Sequence, residues 1–395
     1  MLSLFFHAWE RRLANVSKDR VVRPFEWGTE WMATNGHRAA GDERAAVEAY
    51  VARVLADTDA WFSAPATDDY RVESLGDGTS LVTFPTARPT PHHVNDLVTT
   101  RFFPAQSAGR TPRRAVLVLP QWNSDNDGHV GLCQLLARFG MSALRLSLPY
   151  HDRRMPPELT RADYIVSSNV VRTLEVCRQA VLDARRAIAW LAREGFDRIG
   201  ILGTSLGSCL AMLTACHEPL VRAQALNHIS PFFADVVWRG LSTRHVRAGL
   251  EGHVTLDELR QLWMPISPER YLPKLRGAAT KTLLVYARYD LTFPVDLSRR
   301  LVRSFRAHGV PFRLSVLPCG HYSTGFAPFK YMDGAVLSKR SNLGITIPPG
   351  SKTTLTTRFC SANSGEHHTR TDFEGTDAKN NRFNYRGPDV TLSKK

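Results

Sequence analysis

The sequence has 395 residues, 43% hydrophobic and 22% charged, which is a globular composition at a length that suits one α/β domain with insertions. Lysine and arginine outnumber aspartate and glutamate by 51 to 37, a net charge of +14, but the excess is dispersed and no block of like charges marks a nucleic-acid-binding tail. The basicity therefore reads as general surface charge, with peripheral attraction to anionic lipid as the sharper alternative; no eighteen-residue apolar run offers a membrane span.

Residues 1–65 read as an N-terminal helical extension, with an amphipathic run near 43–55 and with Trp27, Trp31, Trp61 and Phe62 expected to pack on the main domain. Residues 1–12 lack the pattern of a signal peptide, and Glu10-Arg11-Arg12 reads as a solvated helix face. From Tyr70 the apolar period changes to two, which predicts a hairpin of 70–75 and 81–84 around Gly76-Asp77-Gly78, then a strand at 97–103.

From Arg114 onward strands alternate with helices. The continuous apolar run 115–119 is that of a strand covered on both faces. Next come a helix at 129–139, stopped by Gly140, and a strand at 141–148. The polar stretch Leu148-Pro149-Tyr150-His151-Asp152-Arg153-Arg154-Met155-Pro156 is expected at a pocket rim. A long helix at 168–194 then carries Val170, Leu174, Cys177, Val181, Ala184, Ile188 and Leu191 as one buried stripe. Further strands are predicted at 196–202, 222–229, 282–287 and 312–317, with a helix at 295–308.

This alternation predicts an α/β fold: a mostly parallel, doubly wound sheet of about eight strands, spanning residues 66–338. A helical insertion at 231–277, rich in Trp and Arg, is expected over the strand ends as a lid or pocket wall. Residues 339–395 are rich in Ser, Thr, Asn and Gly and are expected to be disordered.

The chemistry centres on Gly203-Thr204-Ser205-Leu206-Gly207, which joins the strand 196–202 directly to a helix. A serine in such a turn needs a strained backbone, tolerable where Gly203 and Gly207 remove bulk on either side. Its hydroxyl is a poor nucleophile alone and needs a histidine base oriented by a carboxylate. Asp290 follows one later strand and His321, behind Gly320, follows the last; Asp296 is the alternative acid. The oxyanion donors expected are the Leu206 N–H and, from the loop after 115–119, the Trp122 N–H, with Asn123 as second choice.

Six cysteines show no C-x-x-C spacing and read as reduced, hence a cytoplasmic setting. His92-His93 and His367-His368 lack metal-ligand spacing, and neither a phosphate loop nor a dinucleotide fingerprint occurs, so no metal or cofactor is expected.

With Gly203-Thr204-Ser205-Leu206-Gly207, Asp290 and Cys319-Gly320-His321 at the matching positions, residues 72–331 resemble the α/β-hydrolase superfamily. Within it they look most like the serine esterase branch near dienelactone hydrolases and acetyl esterases, with Ser in place of the dienelactone hydrolases' Cys. The resemblance implies a serine hydrolase of carboxylic esters or related acyl compounds acting on a small-molecule substrate. A lipid acyl hydrolase or acyltransferase, and a catalytically silent binding scaffold, are the alternatives.

Overall fold

The computed structural model describes residues 2–17, 19–32, 41–106 and 113–338, and the backbone of four strands beyond them. The chain divides into two compact units, Met1–Leu343 and Gly344–Lys395.

The first unit is built on a nine-stranded sheet. Its strands are β1 (Arg71–Ser74), β2 (Ser80–Pro85), β3 (Leu97–Phe103), β4 (Arg114–Leu119) and β5 (Ser142–Leu146), then β6 (Arg198–Thr204), β7 (Val221–Asn227), β8 (Lys281–Ala287) and β9 (Phe312–Leu317). Their order is β1-β2-β3-β5-β4-β6-β7-β8-β9. The β1, β2 and β3 strands pair antiparallel, as β3 does with β5, and every pair from β5 to β9 is parallel. This is the doubly wound sheet expected, one strand larger.

The parallel strands are apolar because helices cover both faces. Residues 115–119 of β4 and 199–203 of β6 are all buried. The register aligns Leu119 with Gly203, Thr204 with Asn227, Asn227 with Val285 and Ala287 with Leu317. The loops that leave β4, β6, β7, β8 and β9 therefore open along one edge, where strand carboxyl ends of α/β sheets take their ligands.

The helix Val170–Arg193 is buried on two sides. Beside the predicted apolar stripe runs a polar one: Glu175 accepts from Arg88, Gln179 accepts from Asn95, and Asp183 accepts from Thr86 and from the fully buried Arg154. The stretch from Leu148 to Pro156 is thus not a pocket rim. Tyr150, His151 and Arg154 are buried, and Arg154 also donates to the Asn95 and Ser147 carbonyls. Charges removed from water need such full pairing, so this stretch buttresses the sheet.

In the extension, helix α1 (Leu2–Ala14) and the helix Glu43–Ala56 form, the latter capped by Asp42. Trp61 and Phe62 are buried, while Trp27 and Trp31 are partly buried against the core, as expected. Short helices build the segment 231–277. No helix among the described residues is long and apolar enough to cross a membrane.

Beyond residue 338 only the backbone of four strands is described. Strands run over Thr354–Ser361, Glu366–Thr376, Arg382–Arg386 and Val390–Ser393, and the second of them pairs antiparallel with each of the others. Threonines and aromatics supply strand propensity there. His367 and His368 fall in the second of these strands; their side chains lie outside the described residues.

Candidate active site

Ser205 stands where β6 turns into the helix Leu206–His217, at φ 56° and ψ −120°. A side chain rarely adopts that conformation, and the surroundings over-determine it. The Ser205 N–H donates to the Asn227 carbonyl across the sheet, and Ser208 N–H donates to the Ser205 carbonyl. Both flanking glycines are required by space: a Cβ on Gly203 would strike the Gly207 carbonyl, and one on Gly207 would strike the carbonyls of Leu119 and Pro120. The last contact brings the loop after β4 alongside the serine.

His321 Nε2 lies 3.0 Å from Ser205 Oγ, and His321 Nδ1 lies 2.9 Å from Asp290 Oδ2. The three residues expected from the sequence thus meet at the sheet edge. Asp290 is 3% exposed, and its other oxygen accepts from the Thr292 and Phe293 N–H groups. One carboxylate therefore caps the following turn and faces the base. Asp296, the alternative acid, lies elsewhere and pairs with Arg239 at 2.8 Å.

One residue that the sequence pattern does not single out shares this network. His228 comes directly after β7, takes φ 53°, and directs Nδ1 at Asp290 Oδ2 from 3.1 Å. The two imidazoles stand 4.7 Å apart. Ionised Asp290 only accepts, so each ring must present Nδ1–H to it. That tautomer leaves His321 Nε2 with a lone pair toward the serine proton. In neutral His228 it leaves Nε2 facing the Thr324 hydroxyl at 3.2 Å. His228, Asp290 and His321 form the only metal-competent cluster among the described residues. With both Nδ1 atoms protonated, they are engaged with one another.

Burial works to raise the Asp290 pKa, but His321 and His228 outweigh it and hold the carboxylate well below its usual range. Burial likewise opposes a charge on His321, yet Asp290, with a smaller push from Glu10, holds the imidazole above its ordinary 6.5.

Leu206 opens its helix, so its N–H has no intrahelical partner, which makes it the candidate first oxyanion donor. On the facing loop the Asn123 N–H is already given to His151 Nε2 at 3.0 Å, and the Asn123 side chain accepts from the Ala162 N–H. Trp122 Nε1 donates to the Ala162 carbonyl, which leaves the Trp122 backbone N–H as the candidate second donor. The buried His151 thus links the distinctive 148–156 stretch to this loop. Thr204, in the elbow, bonds His129 at 2.9 Å.

The cavity over Ser205 has a volume of about 480 Å³. Phe233, Val236, Val237, Ser242 and Thr243 of the 231–277 segment wall it, and Arg20, Arg161, Lys330 and Asp333 add ionisable groups to its lining. None of Trp27, Trp31, Trp61 and Phe62 lines it. The cysteines Cys133, Cys177, Cys209, Cys216 and Cys319 are free thiols.

The family described as alpha/beta hydrolase domain containing 18 matches residues 131–248. Acetyl xylan esterase from Paenibacillus sp. R4 superposes with a TM-score of 0.53 at 14% identity, covering 74% of this chain and 93% of that one. Acetyl xylan esterase 1 from Thermoanaerobacterium sp. JW/SL YS485 gives 0.52 at 12% identity, covering 83% and 98%. The acylaminoacyl peptidase of Pyrococcus horikoshii gives 0.53 at 12% identity over 71% of this chain, but only 43% of the peptidase is spanned. No curated protein matches the sequence. These identities speak for the fold alone: with the sheet order they give the chain the α/β-hydrolase fold, and the family match over residues 131–248 agrees with it.

Proposed function

We propose that this protein is a serine hydrolase that cleaves a carboxylic ester or a related acyl compound. The observation that carries the reading is the chain of contacts from Ser205 Oγ through the His321 ring to Asp290 Oδ2, at 3.0 and 2.9 Å. Ser205 attacks the acyl carbonyl while His321 Nε2 takes its proton; Asp290 holds the tautomer and offsets the charge that develops on the ring. The tetrahedral oxyanion falls to the Leu206 and Trp122 N–H groups. His321 then protonates the leaving group, and water, deprotonated by the same nitrogen, releases the acyl group and frees Ser205.

The two neighbours named as acetyl xylan esterases and the apolar wall of Phe233, Val236 and Val237 are compatible with an acyl substrate. A fluorophosphonate probe tests the reading without knowledge of the substrate. It should label the wild type, and Ser205→Ala should abolish both labelling and p-nitrophenyl ester turnover, a loss of at least ~10³-fold. Undiminished turnover in the variant, or an unreactive folded wild type, overturns it.

One observation favours a lipid acyl substrate as a second reading. Leu2, Leu4 and Phe5 are exposed, and aromatic contacts run from Phe5 through Trp9 to exposed Phe326, next to Gly325 of the cavity lining. An ester series of increasing chain length, with and without anionic vesicles, separates the two: rates that fall with chain length and ignore vesicles remove the lipid reading.

A further inference from the structure

We infer that Glu10 of helix α1 is a positioning residue for the His321 base, so that the N-terminal extension is part of the reactive apparatus. The inference rests on the serine-hydrolase reading above and deepens it. Glu10 carries the sequence marks of a solvated face, yet it is fully buried. Its two carboxylate oxygens accept the backbone N–H groups of Tyr322 and Ser323, each at 2.9 Å, so the pair of residues directly after His321 hangs from one side chain. Charge-assisted bonds of this kind are the strong ones.

The fit is tight on the other side of the base as well. A Cβ on Gly320 would overlap the Glu10 side chain, so this glycine is there for the close approach of α1 and not for loop flexibility. The same helix reaches the acid: Phe6 stacks on Tyr289, ring centroids 4.5 Å apart, and Tyr289 N–H donates to the Cys319 carbonyl. Asp290 comes directly after Tyr289, and His321 directly after Gly320. One helix thus braces the loops that carry both partners of Ser205.

Glu10 also adds negative charge near the imidazole. The titratable groups around that ring are Asp290 and His228 from the neighbouring loops, Tyr322 from its own loop and Glu10 from α1, with Arg20, His129, Arg161, Lys330 and Asp333 on the wall of the same cavity.

The test compares the wild type with Glu10→Gln and Glu10→Ala, in the full-length protein, by the rate of fluorophosphonate labelling from pH 5 to 9, with melting temperature as the check on folding. Glu10→Ala releases both N–H groups, and a shift of the base of about 1 Å is expected to slow labelling by up to ~10²-fold. Glu10→Gln keeps the shape but has one acceptor, so it should be slowed less. Its acid limb should move to lower pH, because a negative neighbour of the imidazole is gone. If Glu10→Ala does not fold, the Gln variant decides. Both folded variants labelling at the wild-type rate, with an unmoved acid limb, would mean that Glu10 only stabilises the fold and would overturn the inference alone. A wild type that no probe labels overturns the serine-hydrolase reading, and this inference with it.

Discussion

Ser205 and His321 face each other across 3.0 Å, but the chain holds them by different means. The serine is fixed by what is adjacent in sequence: a strand, two glycines, and a helix that starts on the next residue. Its strain is local and so is most of its support, apart from the Asn227 carbonyl that accepts from its N–H and the carbonyls of Leu119 and Pro120 that press on Gly207. The histidine's loop has local bonds of its own, from Gly320 N–H to Ser323 Oγ and from Thr324 Oγ1 to the Gly320 carbonyl, but they fold the loop on itself and do not aim the ring at Ser205. Its position depends on Asp290 and His228, which other loops bring, on Thr324, and on Glu10, whose bond to Tyr322 spans 312 residues. A nucleophile can be written into a few consecutive residues. A base that must reach it is placed by the whole unit.

The sharpest break of this contrast is Gly207→Ala. One added methyl has nowhere to go against two backbone carbonyls of β4 and its loop, and backbone does not yield as a flexible side chain does. The elbow has to open, which moves Ser205, the Leu206 N–H and the facing loop together. A fall in p-nitrophenyl ester turnover of ~10²-fold or more is expected, with a lower melting temperature. Turnover near wild type would show that the elbow's support is looser than its geometry.

The base can be disturbed from the opposite direction to Glu10. His228 donates to the same Asp290 oxygen that His321 uses, so it draws on the negative charge that sustains His321. His228→Asn suits the positive φ at that position, since Asn tolerates the left-handed region, and it withdraws the ring from Asp290. Loss of one positioning bond should slow labelling by about tenfold, the equivalent of ~1.4 kcal/mol. His321 is held above 6.5, and activity needs it neutral, so wild-type reactivity is lost as pH falls through a value above 6.5. In the variant Asp290 serves His321 alone and raises it further. The acid limb should therefore move up, where Glu10→Gln moves it down. A shift in the same direction for both would refute this electrostatic coupling.

The elements that could be read from sequence are those whose signal is local. The sheet strands, the elbow, Asp290 and His321 each announce themselves by an apolar run and the turn residues at its end. Glu10 does not, because a glutamate before two arginines on a helix carries every mark of a solvated face, and its partners are backbone groups of a remote loop. His228 has a usable signal: it directly follows a parallel strand, at the edge where Ser205, Asp290 and His321 also stand at strand ends. The polar stripe Glu175, Gln179 and Asp183 is legible as a spacing of four, but its burial is not, since only the fold brings Arg88, Asn95 and Arg154 over it. Misreading the 148–156 stretch as a rim has the same origin.

The smallest expected effect discriminates between two acids. Asp296 lies in the first turn of the helix Val295–Ala307, and its carboxylate bonds both terminal nitrogens of Arg239 at 2.8 and 2.9 Å, on a side chain that is 63% exposed. Exposed pairs of this kind contribute about 0–1 kcal/mol. Asp296→Asn should leave labelling rate and pH profile unchanged and lower stability by no more than that. Asp290→Asn, by contrast, removes the acceptor that fixes the His321 tautomer and should cost up to ~10⁴-fold in turnover. The two substitutions make the same chemical change in the same residue type, and only the surroundings differ. A large loss at Asp296 would mean that the base turns toward the helix during the reaction, and the network around Asp290 would then be a resting arrangement that the chemistry leaves behind.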